Sequence, residues 1–73
     1  MKKYYTLYIA RNEAGESTAD AGALIGVKKS AYWAKENGIN AFSLSEAFKL
    51  SKHYNMPVDE LFKETPFIQK EVS

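Results

Sequence analysis

The stretch GVKKSAYWAKENG, residues 26–38, decides the fold because it predicts a tight turn, a short helix and a stop. Gly26 follows an apolar pair at which a preceding helix would end, and glycine adopts a positive φ there at no steric cost. Asn37 and Gly38 are the residue types best suited to a left-handed helix C-cap. Two helices joined by so short a turn form a helix-turn-helix, a motif whose second helix can enter a DNA major groove.

Length and composition allow one small domain with an ordinary apolar core. The chain has 73 residues, of which 45% are apolar, and it contains no cysteine, which excludes disulfides and thiolate metal sites. No apolar run approaches the roughly 20 residues of a membrane span, and residues 1–5 lack the apolar stretch of a signal peptide. We therefore expect a cytoplasmic protein with a helix-turn-helix domain over residues 1–63 and a C-terminal tail over residues 64–73.

The charge distribution gives only a weak signal about partners. The net charge is +1; residues 1–41 carry six Lys/Arg and four Asp/Glu (+2), and residues 42–73 carry four and five (−1). The basic excess lies in the half that contains the turn motif, but it is smaller than a strongly basic DNA-binding patch would give. Charge alone therefore does not identify the ligand.

Helical spacing and capping signals predict two helices before the turn. A first helix over about residues 3–13 has an inward face formed by Tyr4, Leu7, Tyr8 and Arg11, and Gly15 ends it. Residues 17–20 match a capping box that opens a second helix over about residues 18–25. The residues that this second helix should bury are Ala21, Leu24 and Ile25.

Gly22 is unusual because it lies in the interior of the second helix, where glycine costs about 1 kcal/mol relative to alanine. One interpretation is close approach by another backbone or by a large ring, that of Tyr32 or Trp33. The other is simple tolerance of a glycine in a stable fold.

Two more helices are predicted after residue 38, which completes an all-α bundle of five short helices. Ser43 and Glu46 form a second capping box and open a helix that runs to about Tyr54. Its inward stripe would consist of Leu44, Ala47, Leu50, Ser51 and Tyr54. Pro57 suits the entrance of a last helix over about residues 58–63, where Leu61 and Phe62 would close the core. The tail contains one apolar pair, Phe67-Ile68, which could cover a second copy of the chain or be solvated.

Between about Leu7 and Phe62 the chain resembles the Cro/lambda-repressor-like helix-turn-helix family. The residues that carry the resemblance are Arg11, Gly15, Ser17, Leu24-Ile25-Gly26-Val27, Ser30, Glu36-Asn37-Gly38 and the ending MPVDELF at residues 56–62. The run AYWAK at residues 31–35, together with Asn37-Gly38 and Phe42-Ser43-Leu44, is similar to small regulators of temperate phages from Gram-positive bacteria. These matches are specific for the fold and less specific for the ligand, because function depends on the site.

The resemblance implies an ion pair and a set of DNA contacts. Arg11 and Glu36 stand where family members pair an arginine of the first helix with the glutamate that ends the third; two separately solvated charges are the alternative. The positions that contact DNA in the family carry Thr18, Lys28, Lys29, Ser30, Trp33, Asn37, Gly38 and Asn40. Lys29 could donate to guanine and Ser30 to any base edge, whereas Lys28, Asn37 and Asn40 suit phosphates. The lysines could also be a solvated helix face.

Some residues depart from the family pattern. Thr18 replaces a longer glutamine, and Lys28 stands where a Ser or Thr N-cap is usual. Three carboxylates cluster where a phosphate would approach, and they would repel it: Glu13, Glu16 and Asp20. Trp33 is large and apolar on the face meant for the groove. Either neighbouring helices cover one side of its ring, or it is an exposed aromatic of the kind that anchors protein interfaces.

Two functions fit this sequence. The first is a dimeric DNA-binding repressor of the Cro type that inserts the helix at residues 29–36 into the major groove of a double-stranded operator. The second is an antirepressor that binds a partner repressor through Tyr32, Trp33 and the acidic cluster. Antitoxins and other adaptors stay open as a third class.

An enzyme is not expected from this sequence. The single histidine, His53, should be a solvated residue on the fourth helix, and no glycine-rich phosphate loop follows a strand. No cofactor and no metal ion are implied.

Overall fold

The computed structural model describes residues 3–63, which form five helices and no strand. These are α1 Tyr5–Glu13, α2 Thr18–Ile25, α3 Lys29–Glu36, α4 Leu44–Tyr54 and α5 Val58–Leu61. The predicted all-α bundle with a helix-turn-helix at α2 and α3 is confirmed. The predicted tail contact through Phe67-Ile68 lies outside the described residues.

Reciprocal side-chain caps determine where α2 and α4 begin. Ser17 Oγ accepts a hydrogen bond from the Asp20 N–H at 3.1 Å, and the Ser17 N–H donates to the Asp20 carboxylate at 2.9 Å. Ser43 and Glu46 make the same pair of bonds at 3.1 and 3.0 Å. Both predicted capping boxes are therefore present, and they satisfy N–H groups that have no partner inside the helix.

Glycines end the two helices of the motif. Gly26 takes a left-handed conformation with φ of +78°, and the following Val27 N–H donates to the Gly22 carbonyl at 2.9 Å. After α3, Asn37 keeps a negative φ of −91°, and Gly38 takes the left-handed conformation with φ of +78°. The predicted glycine-led turn and glycine stop are thus confirmed.

Gly22 allows α2 and α3 to approach closely. A Cβ added at Gly22 would lie 2.7 Å from the Val27 carbonyl oxygen and 3.4 Å from the Tyr32 Cβ. The predicted close approach is confirmed, and the neighbours are the Val27 backbone and Tyr32 rather than Trp33. A tightly packed crossing of this kind fixes the position of α3 relative to α2.

The core lies where α1, α2, α3, α4 and α5 meet. Its buried members are Leu7, Ala21, Ile25, Tyr32, Leu50 and Leu61. The rings of Tyr4, Phe42 and Phe62 pack against this core, with centroids 5.1 to 5.9 Å apart. Tilted and edge-to-face ring contacts at these distances are favourable.

Three residues that were predicted to face inward lie at the surface. Leu24 is 37% exposed, Tyr8 36% and Leu44 68%. Ala21 and Ile25 are buried as predicted, and Leu24 lies at the edge of the same buried face of α2. Lys3 Nζ covers the Tyr8 ring at 4.0 Å from its centroid. Leu44 is the first residue of α4 and precedes the buried part of its stripe.

The helices of the described region are short. None of those between residues 3 and 63 has the combination of length and apolarity that crossing a bilayer requires.

Candidate nucleic-acid interface

The inner face of α3 is fixed by a buried hydrogen-bonded cluster. Arg11 Nε and Nη2 donate to the Glu36 carboxylate at 2.9 and 3.0 Å, and the Tyr32 hydroxyl donates to it at 2.9 Å. Tyr32 is 0% exposed and Glu36 1%. The hydrogen bond to Glu36 raises the pKa of Arg11, and burial raises the pKa of Tyr32, so both remain donors. The predicted Arg11–Glu36 pair is therefore present.

A lysine joins the other side of α3 to α4. Lys35 Nζ lies 2.8 Å from Glu46 Oε1 and donates to the Ala41 carbonyl at 3.1 Å. Glu46 is the residue that caps α4, so one carboxylate both begins that helix and contacts α3. Burial acts to raise the pKa of Glu46, but the hydrogen bonds from Lys35 and Ser43 together outweigh it, so the pKa is lowered.

A second cluster, which sequence reasoning missed, joins α4 to the turn in front of α2. Glu16 accepts a hydrogen bond from the Tyr54 hydroxyl at 2.6 Å, and its other carboxylate oxygen lies 2.7 Å from His53 Nε2. The Glu16 carbonyl also accepts from Arg11 Nη1 at 2.9 Å. His53 is exposed, as expected, but its contact with Glu16 was not predicted. Because 37 and 38 positions separate these partners, no local pattern could have indicated them.

The outer face of α3 carries polar groups without intramolecular partners. Lys28, Lys29 and Ser30 are exposed, and none makes a side-chain hydrogen bond or ion pair with another residue of the described region. Asn40 is likewise exposed in the loop after α3, and Thr18 is half-buried at the start of α2. The structure thus brings three of the predicted contact residues together at the N-terminal end of α3.

Two predicted contact residues are not available to a ligand through their side chains. Tyr32 lies in the core, whereas its neighbour Trp33 is half exposed. Asn37 is 8% exposed, and its Nδ2 donates to the Trp33 carbonyl at 2.9 Å, so it completes the last turn of α3. Trp33 is 50% exposed, so half of its surface is open to a ligand while the rest is covered by the protein.

Two of the three carboxylates in the acidic cluster are engaged inside the chain. Glu16 is held by Tyr54 and His53, and hydrogen bonding from Tyr54 lowers its pKa. Asp20 is held in the capping box, where the bond from the Ser17 N–H lowers its pKa. Glu13 is exposed and has no such partner within residues 3–63. Because their lowered pKa values keep Glu16 and Asp20 ionised, the repulsion expected for a phosphate that approaches the start of α2 remains.

Within the described region, no group of three or more His, Asp or Glu side chains is placed to hold a metal ion. Neither a protein-family model nor a curated protein matches this chain.

Proposed function

We propose that this chain is a sequence-specific DNA-binding transcriptional regulator of the Cro/repressor type, of the kind that temperate phages encode. In this proposal α3 enters the major groove of a double-stranded operator. The supporting observation is the division of α3 into an anchored inner face and a free outer face. Tyr32 and Glu36 hold the inner face, whereas Lys29 and Ser30 are exposed without partners. Direct readout of base edges needs donors on a rigidly held element.

The roles of the outer residues follow from their chemistry. Lys29 donates to guanine O6 and N7, and Ser30 bonds a neighbouring base edge. Lys28 and Asn40 contact phosphates and set the register. Lys28 is the N-cap of α3 and makes no side-chain cap, so the first N–H groups of this helix have no side-chain acceptor. Such N–H groups are suited to a phosphate oxygen.

Selection from a pool of random-sequence duplexes tests the proposal, followed by fluorescence anisotropy with the enriched duplex. Lys29→Ala should weaken specific binding by about 1–3 kcal/mol and relax the preference at one base pair. Lys28→Ala should weaken binding to all duplexes alike. It should also reduce the slope of log affinity against log salt concentration by about 1.

Lys63→Ala is the matched control, because it removes the same charge from an exposed position after α5. It should leave the affinity for the enriched duplex unchanged. Failure to enrich any sequence, or equal losses in Lys63→Ala and Lys29→Ala, would contradict the proposal.

A second function is favoured by one observation, the exposure of Trp33. Half of this side chain is exposed in the middle of α3. Exposed tryptophans are enriched among the anchors of protein interfaces. On this alternative the chain is an antirepressor that binds a partner repressor through the same outer face.

Trp33→Ala distinguishes the two functions, and its exposure means that truncation does not empty the core. Against a repressor encoded beside this chain's gene, Trp33→Ala should cost at least about 2 kcal/mol, whereas Lys29→Ala should mainly change the association rate. Against the enriched duplex, Lys29→Ala should have the larger effect. Loss of DNA binding in Lys29→Ala without any repressor binding would exclude the antirepressor.

A further inference from the structure

Three residues of α3 are exposed, and they lie together on one face of the helix. Of its eight residues, Lys29, Ser30 and Trp33 are exposed, and the other five are buried or half-buried. Trp33 follows Lys29 by four positions and Ser30 by three, a spacing that places the three side chains next to one another on the helix surface. A ligand that contacts the outer face of α3 through Lys29 and Ser30 therefore meets the Trp33 ring as well.

The three exposed side chains differ in what they can recognise. Lys29 and Ser30 offer hydrogen-bonding groups, whereas the exposed half of Trp33 offers mainly apolar ring surface. The base edges in a major groove present hydrogen-bond donors and acceptors, and the methyl group that they present is the C5-methyl of thymine. The exposed ring that a protein partner would bury under the alternative function thus has one apolar counterpart in a DNA groove.

The helix geometry also gives the distance between the bases that the two ends of this face would meet. An α-helix rises about 1.5 Å per residue, so Trp33 lies about 6 Å along α3 from Lys29. Base pairs are stacked about 3.4 Å apart. A helix that lies along the groove therefore places Trp33 about two base pairs from the base that Lys29 contacts.

We propose that Trp33 is a specificity-determining residue that packs its ring on the C5-methyl of a thymine. This inference rests on the function proposed above, and it adds a feature of the operator: a thymine within about two base pairs of the guanine that Lys29 reads. Lys29 and Ser30 select bases through hydrogen bonds. Trp33 selects through apolar contact, so it distinguishes thymine from a base that lacks the methyl group.

Replacing the thymines of the enriched duplex by uracil, one at a time, tests the proposal, because uracil lacks only the methyl group and keeps the hydrogen-bonding edge. Fluorescence anisotropy measures the affinity for each duplex. At one thymine of each site the wild type should lose about fourfold in affinity, the loss expected for one buried methyl group. That thymine should lie beside the guanine whose preference Lys29→Ala relaxes. Uracil at more distant positions should leave the affinity unchanged.

Two variants on the same face assign the methyl contact to one side chain. Trp33→Ala should bind the thymine duplex and the uracil duplex equally well. Lys29→Ala should bind both more weakly and keep the difference between them. Circular dichroism melts would show that both variants are folded.

The outcomes separate this proposal from the function on which it rests. Failure to enrich any duplex would contradict the proposed function and this proposal with it. Three results would overturn this proposal and leave the proposed function standing. They are an enriched duplex with no thymine near that guanine, specific binding that is indifferent to uracil at every thymine, and a thymine preference that Trp33→Ala retains.

Discussion

Among single residues, Glu36 determines most directly where α3 lies. Its buried carboxylate accepts three hydrogen bonds from Arg11 and Tyr32, and its backbone carbonyl accepts the Tyr4 N–H at 3.0 Å. A buried carboxylate is tolerated only when it is paired and hydrogen-bonded. The end of α3 is therefore fixed to α1 and to Tyr4, the residue that precedes α1.

Arg11→Ala should lower the free energy of unfolding by about 3 kcal/mol or more, because it leaves Glu36 buried without its counter-charge. Urea denaturation measures the loss. Lys28→Ala removes one positive charge from an exposed side chain and should stay within about 0.5 kcal/mol of the wild type. A similarly small effect of Arg11→Ala would mean that the pair is open to solvent in solution.

Gly22→Ala should destabilise the chain although alanine is the better helix former. The added methyl would lie 2.7 Å from the Val27 carbonyl oxygen, and this backbone atom cannot move without shifting the turn. Overpacking of this kind costs about 1–3 kcal/mol, more than the propensity gain of about 1 kcal/mol. The thermal midpoint of unfolding shows whether Gly22→Ala stabilises or destabilises the chain. Ala23→Gly, on the exposed side of α2, is the reference for the effect of helix propensity alone. A raised midpoint for Gly22→Ala would contradict the close approach.

Among the helices, α4 contacts both ends of the helix-turn-helix. Its start contacts α3 through Glu46 and Lys35, and its end contacts the turn in front of α2 through His53, Tyr54 and Glu16. The two contacts are at opposite ends of one helix. α4 therefore fixes the spacing between the end of α3 and the entry to α2.

This contact gives the fold an acid-sensitive point at Glu16. The hydrogen bond from Tyr54 lowers the pKa of Glu16 from its ordinary 4.5. A carboxyl whose pKa is lowered on folding adds stability above its unfolded pKa, and this is lost as the pH falls through the folded pKa. Glu16→Gln should therefore be less stable than the wild type at neutral pH, and the difference should shrink below about pH 4.

Denaturation of both proteins at several pH values measures this difference. Glu13→Gln, which removes the same charge from an exposed side chain of α1, serves as the control and should change stability little. A constant difference between Glu16→Gln and the wild type across the pH range would show that the carboxylate charge has no role in the contact.

For the whole molecule, the small core sets the stability. Leu50 is 0% exposed and belongs to a core of six buried side chains. Leu50→Ala should cost about 2–5 kcal/mol through the cavity it leaves, against a total of roughly 4–11 kcal/mol for a domain of this length. Ile9→Ala, at an exposed site, is the control for guanidinium denaturation. Equal midpoints for the two variants would mean that Leu50 is not in the core.

Local signals in the sequence predicted the helices of this fold. The distant Arg11–Glu36 pair was expected only from the family resemblance, and the contacts of Glu16 were not predicted. Capping boxes and turn glycines act within four residues, so Ser17, Gly26 and Ser43 marked the helix ends. Which of the neighbours Tyr32 and Trp33 faces inward depends on the rotation of α3, and the packing at Gly22 sets that rotation. The contacts of Glu16 with His53 and Tyr54 join residues far apart in the chain, and no periodicity reports them.

The separation of buried and exposed residues on α3 also bears on how the sequences of such chains can diverge. Residues 29, 30 and 33 are exposed, so their side chains can be exchanged without emptying the space that the buried Tyr32 and Glu36 fill. Under the function proposed above, changes of ligand and changes of stability would therefore fall on separate positions. Descendants of one ancestral chain can acquire new targets through a few surface substitutions while they inherit an unaltered interior. Grafting the outer residues of one such chain onto another should transfer its target preference.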